Sequence, residues 1–596
     1  MATNDFAQVL RDYRVKKGLT QDKMAKLLGV SYPTLNHWEA GKSKPQKARF
    51  EVVMKIIEAD EDMEGSDTKL GVSRGGSRRG IMSIASMEQM LWDAACSIRG
   101  QKDAPKFKDY IFPLLFIKRL SDVFDDEVAR LADTYGERDT ALKVLEADHS
   151  LVRFYIPLEA RWNVLSGREK FDWPRGKTPK TLGEQVTMAI RAIVKFNPTL
   201  AGVIDRIDFN ESRHGEREIS DAALKKVIEQ FSDPKYRLGL RDVEPDFLGR
   251  CYEYLLRKFA EGQGQAAGEF FTPTEVGFLI AELMRPRPGE ECYDYACGSF
   301  GLLIKLQLVS RRLDPLSKIP LKLYGQELQA ESYAIASMNK IIHDMEGKIE
   351  RGDSMVNPKF RENNSQLKKF DIVVANPMWN QSFDPEVLEN DAFNRFESTG
   401  GVTNGRGDWA WLQHTLASMK DGGRAAVVLD TGAVTRGSGS KHEDKERNIR
   451  KWFIEQDLIE GVILLPDNLF YNTGSPGVII LLRKNKPKDR KGTIVLINAS
   501  QEFKKGAPKN YLAEVGIKKI SDAFAKGTSV DKFVSVISSD DVAKADFNLL
   551  PSAYIQNSIT DLIRPLPILI KELKTVEVQS EKISAELNAI LKQLSK

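Results

Sequence analysis

From about residue 268 the chain alternates short apolar runs with helical stretches: ECYDYAC, KLYGQE, KIERGDS, FDIVVANP, GRAAVVLD, LIEGVILLP and GVIILLRK. Runs that are apolar at consecutive positions and rich in Val and Ile fit strands covered on both faces. Strands separated by helices are joined by crossovers, so the alternation predicts a mostly parallel sheet between helical layers. Ligands of such sheets bind beyond the carboxyl ends of the strands. The residues that close each run are therefore the ones to read for chemistry.

The rest of the chain has a different grammar. Residues 1–60 read as short amphipathic helices. Residues 61–83, which include GSDTKLGVSRGGSRRG, are polar, Gly/Ser/Arg-rich and aperiodic, and read as a flexible linker. Residues 84–245 carry helical spacing, as in MEQMLWDAACSIRG and YIFPLLFIKRLSDVFDDEVARLA. The α/β core is expected over 246–505. Residues 506–596 turn polar and helical again, ending in Leu566, Leu569, Leu573, Val576, Ile583, Leu587, Ile590 and Leu594 at heptad-like spacing. The expected fold is multidomain, α and α/β: a Rossmann-like core with helical N-terminal domains and a C-terminal coiled-coil-like helix.

A net charge of +4 means that any nucleic-acid surface comes from local clustering. Four cysteines without a CxxC pair and six scattered histidines predict no metal site. Reduced thiols, a start (MATNDFAQVL) without a signal pattern and no span-length apolar run predict a cytoplasmic protein with no membrane partner.

Three strand ends carry residues suited to one ligand. The first, YDYACGSFGLL, has Asp294, with Gly298 and Gly301 letting backbone approach a ligand as the next helix opens. The second ends in Glu327, placed to grip the two hydroxyls of a ribose. The third ends in Asp353, an acceptor for an adenine amino group. Each alone reads equally well as a turn or a helix cap; three in order point to a nucleoside-bearing ligand. A fourth strand ends at Asn376-Pro377, with Trp379 two places on. Its bland reading is a strand end and a core tryptophan.

Taken together, these motifs resemble the adenine-N6 DNA methyltransferases, and within them the modification (M) subunit of type I restriction-modification systems, over about residues 84–596. The family's first motif usually reads DPACGTGGFL, and here residues 294–303 read DYACGSFGLL, with Tyr295 for Pro and Phe300 for Gly. GEFFTPTEV at 268–276 is similar to the family's phenylalanine motif, and DWAWLQH (408–414) and LPDNLFYNTGSPGVIILLRK (465–484) also match. The resemblance implies that S-adenosylmethionine is bound by Glu269, Phe270, Phe271, Thr272, Pro273, Thr274, Asp294, Ala296, Cys297, Gly298, Ser299, Phe300, Gly301, Glu327 and Asp353. It implies catalysis by Asn376, Pro377, Met378 (a second Pro in the family) and Trp379. Asn376 Oδ1 and the Pro377 carbonyl would accept hydrogen bonds from the amine of a flipped adenine stacked on Trp379.

The stretch LRDYRVKKGLTQDKMAKLLGVSYPTLNHWEAGKSKP resembles phage-repressor-type helix-turn-helix domains. Gln21, Ser31, Tyr32, Thr34, Asn36 and His37 are the expected DNA-facing residues, with Leu35 and Trp38 packed inward, and eleven Lys/Arg against seven Asp/Glu in 1–60 suit phosphate contact. Autoregulation of its own operon is one use for such a domain; binding protein is the other. The resemblance further implies double-stranded DNA, a specificity (S) subunit shared by two M subunits and gripped by the 566–594 seam, and a restriction (R) subunit as partners, with protection of host DNA as the outcome. Two rivals stay open: a regulator with a non-catalytic methyltransferase fold, and a methyltransferase of RNA adenine or protein glutamine.

Overall fold

The computed structural model of the chain describes residues 81–98, 107–261 and 272–555 apart from isolated positions, together with residues 32–39 and Leu10, Arg14, Gln21, Met24 and Val30 near the amino terminus. The expected 566–594 seam, and Glu269, Phe270, Phe271 and Ser31, lie outside the described residues.

In α1 (Tyr32–Glu39) Leu35 and Trp38 are buried while Asn36 and His37 are exposed. The helical region that follows is built from α2 (Ile84–Ile98), α3 (Phe107–Tyr135), α4 (Arg138–Ala147), α5 (Leu182–Phe196) and α6 (Asp221–Phe231). Met87, Met90, Leu91, Ala94, Ala95 and Ile98 line one side of α2, the three-and-four spacing of a helix facing a core. Thr181 and Ser220 cap α5 and α6 by accepting the N–H of Glu184 and Ala223. Helix α7 (Phe247–Glu261) continues this core with Phe247, Leu248, Cys251 and Leu255 rather than opening the α/β unit, because its apolar stripe matches the helical cluster.

The α/β core begins with α8 (Thr274–Met284). Its strands are β1 (Glu291–Asp294), β2 (Lys322–Glu327), β3 (Gly347–Arg351), β4 (Phe370–Ala375), β5 (Met419–Asp430), β6 (Ile459–Leu464), β7 (Gly477–Arg483), β8 (Thr493–Asn498) and β9 (Val534–Ser538). They form one sheet in the order β9-β8-β6-β7-β5-β4-β1-β2-β3. Strand β7 runs antiparallel to both its neighbours and β9 antiparallel to β8; every other pairing is parallel. β6 is buried at every position and β7 at all but its last, as expected of central strands covered on both sides. Helices α9 (Gly301–Leu313) and α10 (Ala330–Ile342) cross toward β3, while α11 (Asp408–Ala417) precedes β5 on the other side of β1. Right-handed crossovers therefore put α9 and α10 on one face and α11, with α12 (Lys445–Glu455), on the other. Among the described residues no helix is long and apolar enough to cross a membrane, and no group of side chains could hold a metal ion.

Two expectations need correction. The region after 505 is not purely helical: α13 (Glu514–Lys526) packs on α8, and β9 extends the sheet edge. Two of its five residues, VSVIS, are serine and three are only partly buried, the pattern of an edge strand and a weak sequence signal. The third strand stops at Arg351, two residues short of Asp353.

The helical region and the sheet share α10, whose Ala334, Ile335, Met338 and Ile342 lie in the helical cluster, and Arg153 donates to the Ile342 carbonyl at 2.7 Å. Strand β3 begins at Gly347, whose φ of +148° is left-handed territory and whose missing Cβ would lie 1.7 Å from the Leu323 carbonyl oxygen. Gly347→Ala should therefore lower stability by about 2–4 kcal/mol, since strained backbone and overpacking act together. A denaturation midpoint equal to wild type would show that β3 pairs without this close approach.

Candidate functional site

β1 pairs in parallel with β2 on one side and β4 on the other, so the crossovers diverge at this point of the sheet. The crevice beyond the carboxyl ends of β1 and β4 is where an open α/β sheet holds its ligand. Asp294 closes β1, Glu327 closes β2, and Asn376 follows β4 directly.

Asp294 is buried and its Oδ1 accepts the Ala296 N–H at 3.0 Å. Burial pushes its carboxyl up to about 8, opposed by that hydrogen bond and reinforced by the charge of Glu327. Glu327 spans two loops: Oε2 accepts the Gly298 N–H (2.9 Å) and Oε1 the Gln329 N–H (2.8 Å), and burial raises its pKa against these bonds. Gly298 has a φ of +50° and open space where a Cβ would stand, leaving backbone accessible there.

The next residues do other work. Phe300 adopts the left-handed backbone (φ +75°) at a position where the family motif carries glycine, and its ring, fully buried, packs on Gly325 of β2 beside Cys297. Burial pushes the Cys297 thiol well up, so it is packing and not a reactive group. Tyr295 also faces the core, stacked on Trp411 with ring centroids 5.1 Å apart. Of the residues expected on this loop, Ala296, Gly298 and Ser299 keep partial exposure at the carboxyl end of β1. Ser299 and Gly301 receive Asp246: the Ser299 hydroxyl donates to Asp246 Oδ2 (3.1 Å), and a Cβ on Gly301 would sit 2.4 Å from that oxygen. Asn339 of α10 donates to Asp246 Oδ1 (3.0 Å) and to the Ser299 carbonyl (2.9 Å), and Lys305 lies 3.7 Å from Asp246.

Asp353 caps a turn, its Oδ1 accepting the Met355 (2.8 Å) and Val356 (3.1 Å) N–H groups. That turn is held from below by buried Gln326, which donates to the Gly352 and Asn357 carbonyls and accepts the Lys359 N–H. Buried Arg395, paired with Asp391, donates to the Ser354 and Met355 carbonyls. Leu328 and Val356 stand exposed just past Glu327 and Asp353, two apolar side chains on an otherwise polar rim.

Asn376 is 6% exposed. The Trp379 indole N–H lies 3.1 Å from one amide atom, and since an indole only donates, that atom is Oδ1. Nδ2 then donates to Thr272 Oγ1 at 3.0 Å, tying the site to the TP of the phenylalanine motif. Pro273 is buried at the start of α8, and Thr274 accepts a hydrogen bond from Arg250. Trp379 is 7% exposed; its ring meets Phe470 edge-on at 4.8 Å, and both rings press on Gly477, where a Cβ would come within 3.0 Å of each. In this conformation the indole does not offer an open face. Met378 is 42% exposed and points its bulk outward, so this position lends the loop chiefly its backbone.

Behind the loop, the Asn380 N–H (φ +55°) donates to Asp408 Oδ1 at 2.9 Å, and Arg436 donates to Asn380 Oδ1 (2.9 Å) while pairing with Asp408 and with Glu446 (2.5 Å). His414 is fully buried in the core. Burial and then Arg395, 3.0 Å from its Nδ1, hold its pKa well below the usual range, so it is no general base. A separate cleft of about 800 Å³ opens at the opposite edge, among Glu291, Lys368, Lys369, Lys420 and Lys484. Lys368 and Lys420 are both paired to Glu291 there, at the ends of the strands that do not bind ligands in this architecture. In the amino-terminal region the Gln21 amide donates to Glu39 (2.7 Å), which also pairs with Arg14, and Thr34 is half-buried.

Sequence reading missed Asp246, Gln326, Asn339, Arg395, Arg436 and Gly477. Only Gly477 carried a signal, as a glycine opening an apolar strand.

Comparison with known proteins agrees with this geometry. The N-6 DNA Methylase family matches residues 243–561, the HsdM N-terminal domain 87–231 and a helix-turn-helix family 10–59. The type I restriction enzyme MjaVIII methylase subunit of Methanocaldococcus jannaschii is 33% identical over 453 residues, 74% of this chain and 73% of that one. The HindI methylase subunit of Haemophilus influenzae is 28% identical, over 72% of this chain and 98% of its own. The crystal structure of a type I restriction-modification system methyltransferase subunit from Streptococcus thermophilus superimposes with a TM-score of 0.61 at 25% identity, covering 78% of this chain and 98% of that one. The chain belongs to the N-6 DNA methylases and is an adenine-specific DNA methyltransferase, the methylase subunit of a type I restriction-modification system.

Proposed function

We propose that Asn376 Oδ1 and the Pro377 carbonyl accept the two N–H groups of a target adenine amine. The observation that carries this reading is the orientation of the Asn376 amide: Thr272 and the Trp379 indole N–H together turn its oxygen to a defined position at the end of β4. The amine is a poor nucleophile because its lone pair is delocalised into the ring. Two acceptors localise that lone pair and stabilise the positive charge that develops as a methyl group arrives. With His414 buried and uncharged, the spent proton leaves through water. Trp379 and Phe470 supply aromatic walls for a base turned out of the duplex.

S-adenosylmethionine fits the neighbouring crevice. Glu327 would take the ribose hydroxyls and Asp353 the adenine amino group, with Leu328 and Val356 against the faces of the purine; the exposed apolar side chains and the open backbone at Gly298 support this reading. When bound, it supplies an electrophilic methyl group on a sulfonium. Choice of sequence falls to a specificity subunit gripped by the 566–594 seam, with a restriction subunit joining the full complex and the helix-turn-helix domain serving DNA binding through Asn36, His37 and their neighbours.

Asn376→Ala should abolish N6-methyladenine formation, read by mass spectrometry, with S-adenosylmethionine affinity within about threefold of wild type, because it removes an acceptor made for the transition state. Turnover near wild type would remove Asn376 from the chemistry. The raised Asp294 pKa gives a pH signature. In the free protein the carboxyl is protonated below about pH 8, and a ligand of net positive charge favours the ionised form. Calorimetry should therefore find affinity rising with pH up to about 8, with a proton released on binding, and Asp294→Asn should flatten that dependence. A flat wild-type profile would mean that Asp294 stays neutral throughout. Finally, deleting residues 561–596 should leave cofactor binding intact while abolishing co-purification with the specificity subunit; a truncated chain that still assembles would place that contact elsewhere.

A further inference from the structure

After β8 the chain returns on the same edge of the sheet as the site and folds into a hairpin: the Lys504 N–H donates to the Tyr511 carbonyl (2.9 Å) and the Tyr511 N–H to the Lys504 carbonyl (3.1 Å). Residues 503–511 read FKKGAPKNY, three lysines and no acid. Lys504, Lys505 and Tyr511 are exposed, and the adjacent acid, Glu502, is already paired with Lys519 at 2.5 Å.

A basic run is ordinarily a solvated face. This one is fastened to the wall of the base pocket. Lys509 Nζ donates to Asn468 Oδ1 (2.9 Å) and to the Thr473 carbonyl (3.1 Å). The Asn510 N–H donates to the Asn468 carbonyl (3.0 Å) and its side chain to the Asp467 carbonyl (3.0 Å). The loop so held carries Phe470, whose ring meets Trp379, whose N–H meets Asn376. Direct contacts thus run from the Asn376 amide to the lysine hairpin, which carries the two exposed cations Lys504 and Lys505 beside the Phe470 loop.

We propose that this hairpin is a phosphate-contact surface, with Lys504 and Lys505 binding the DNA backbone beside the target base. The proposal rests on the DNA-methylating reading given above. A base turned out of its stack draws its flanking phosphates toward the pocket mouth. Compact ammonium groups on a loop that shares hydrogen bonds with the pocket wall neutralise phosphates there without reading sequence.

The test is the salt dependence of DNA binding by the complex as purified from its host, wild type against Lys504→Ala/Lys505→Ala. Over about 50–200 mM salt, the slope of log affinity against log salt should fall by roughly 1.8, at about 0.9 per lost phosphate contact, and equally on target and unrelated duplexes. S-adenosylmethionine affinity and kcat at saturating DNA should be unchanged, and Lys504→Arg/Lys505→Arg should keep the wild-type slope. An unchanged slope in the alanine variant, with an active wild type, overturns the hairpin assignment alone. A wild-type complex that methylates no adenine overturns the functional reading, and the hairpin assignment with it.

Discussion

Two backbone pairings in the middle of the sheet, Cys292 with Ile372 and Tyr293 with Val373, decide where everything else can act. They join β1 and β4, strands separated by some eighty residues, at the place where the crossovers diverge. Because both strands run the same way, their carboxyl ends open together, which brings the carboxylate of Asp294, proposed for the cofactor, to the same edge as the amide of Asn376, proposed for the target amine. A one-residue slip of this register would turn every side chain of β4 to the opposite face, exposing Ile372 and Val374 or Val373 and Ala375 to the wrong layer. Continuous burial of β4 makes that slip expensive on either face, so the apolar ladder protects the geometry of the polar site.

The loops at that edge are then stiffened by buried or half-buried polar groups beneath them. Asp246 lies under the first, Gln326 and Arg395 under the loop bearing Asp353, and Arg436 under the loop bearing Asn376. Each makes three or more hydrogen bonds or ion pairs; removing one partner costs about 3–5 kcal/mol where it leaves a buried charge unpaired and about 1–3 kcal/mol where it leaves a neutral group unsatisfied. Either exceeds thermal fluctuation, so the loops keep their shape although they lie outside the ladders. Asp246 has a further consequence: it sits just ahead of α7, in the helical region, and therefore binds that region to the loop after β1. Movement of the helical region relative to the sheet cannot leave Ser299 and Asn339 undisturbed.

Much of this was open to reading from residue order, and the division follows the physics. Runs such as IVVA, GVIL and VIILL announce central strands because burial on both faces demands apolar residues at every position. Acids and Asn-Pro closing those runs announce the crevice, since charged groups survive at strand ends and not within. Asp246, Gln326, Arg395 and Arg436 stayed hidden because a single polar residue has no period, and its partners lie up to 93 residues away. Phe300 was legible as a departure from a motif, but not as a residue that keeps glycine's left-handed backbone by burying its ring on Gly325. The edge strand Val534–Ser538 escaped because it is short and only partly covered, with serine at two of its five positions. The burial of Trp379 was hidden for a related reason: it depends on Phe470 and Gly477, both about a hundred residues downstream.

Under the role proposed for Asn376, that buried indole bears on how the site would receive an adenine. Asn376 Oδ1 already receives one hydrogen bond, from Trp379, and an sp² oxygen has two lone pairs. An adenine amine can either share the oxygen or displace the indole N–H. Displacement exchanges one N–H···O bond for another and is close to neutral in hydrogen bonding, but the indole N–H then needs a new partner, at about 1–3 kcal/mol if it finds none. Sharing avoids that penalty and leaves Trp379 where it is, but it keeps the ring against Phe470 and gives the base no face. Stacking therefore requires one of the two rings to move. Gly477 leaves the indole no room on its own side, because a further approach would bring the ring into backbone. The ring with freedom to yield is Phe470, on a loop whose hold is a set of hydrogen bonds at its rim and not a buried charge. Entry of a base would thus act first on the Phe470 loop, leaving the Asn376–Thr272 bond, and with it the orientation of the acceptor, intact.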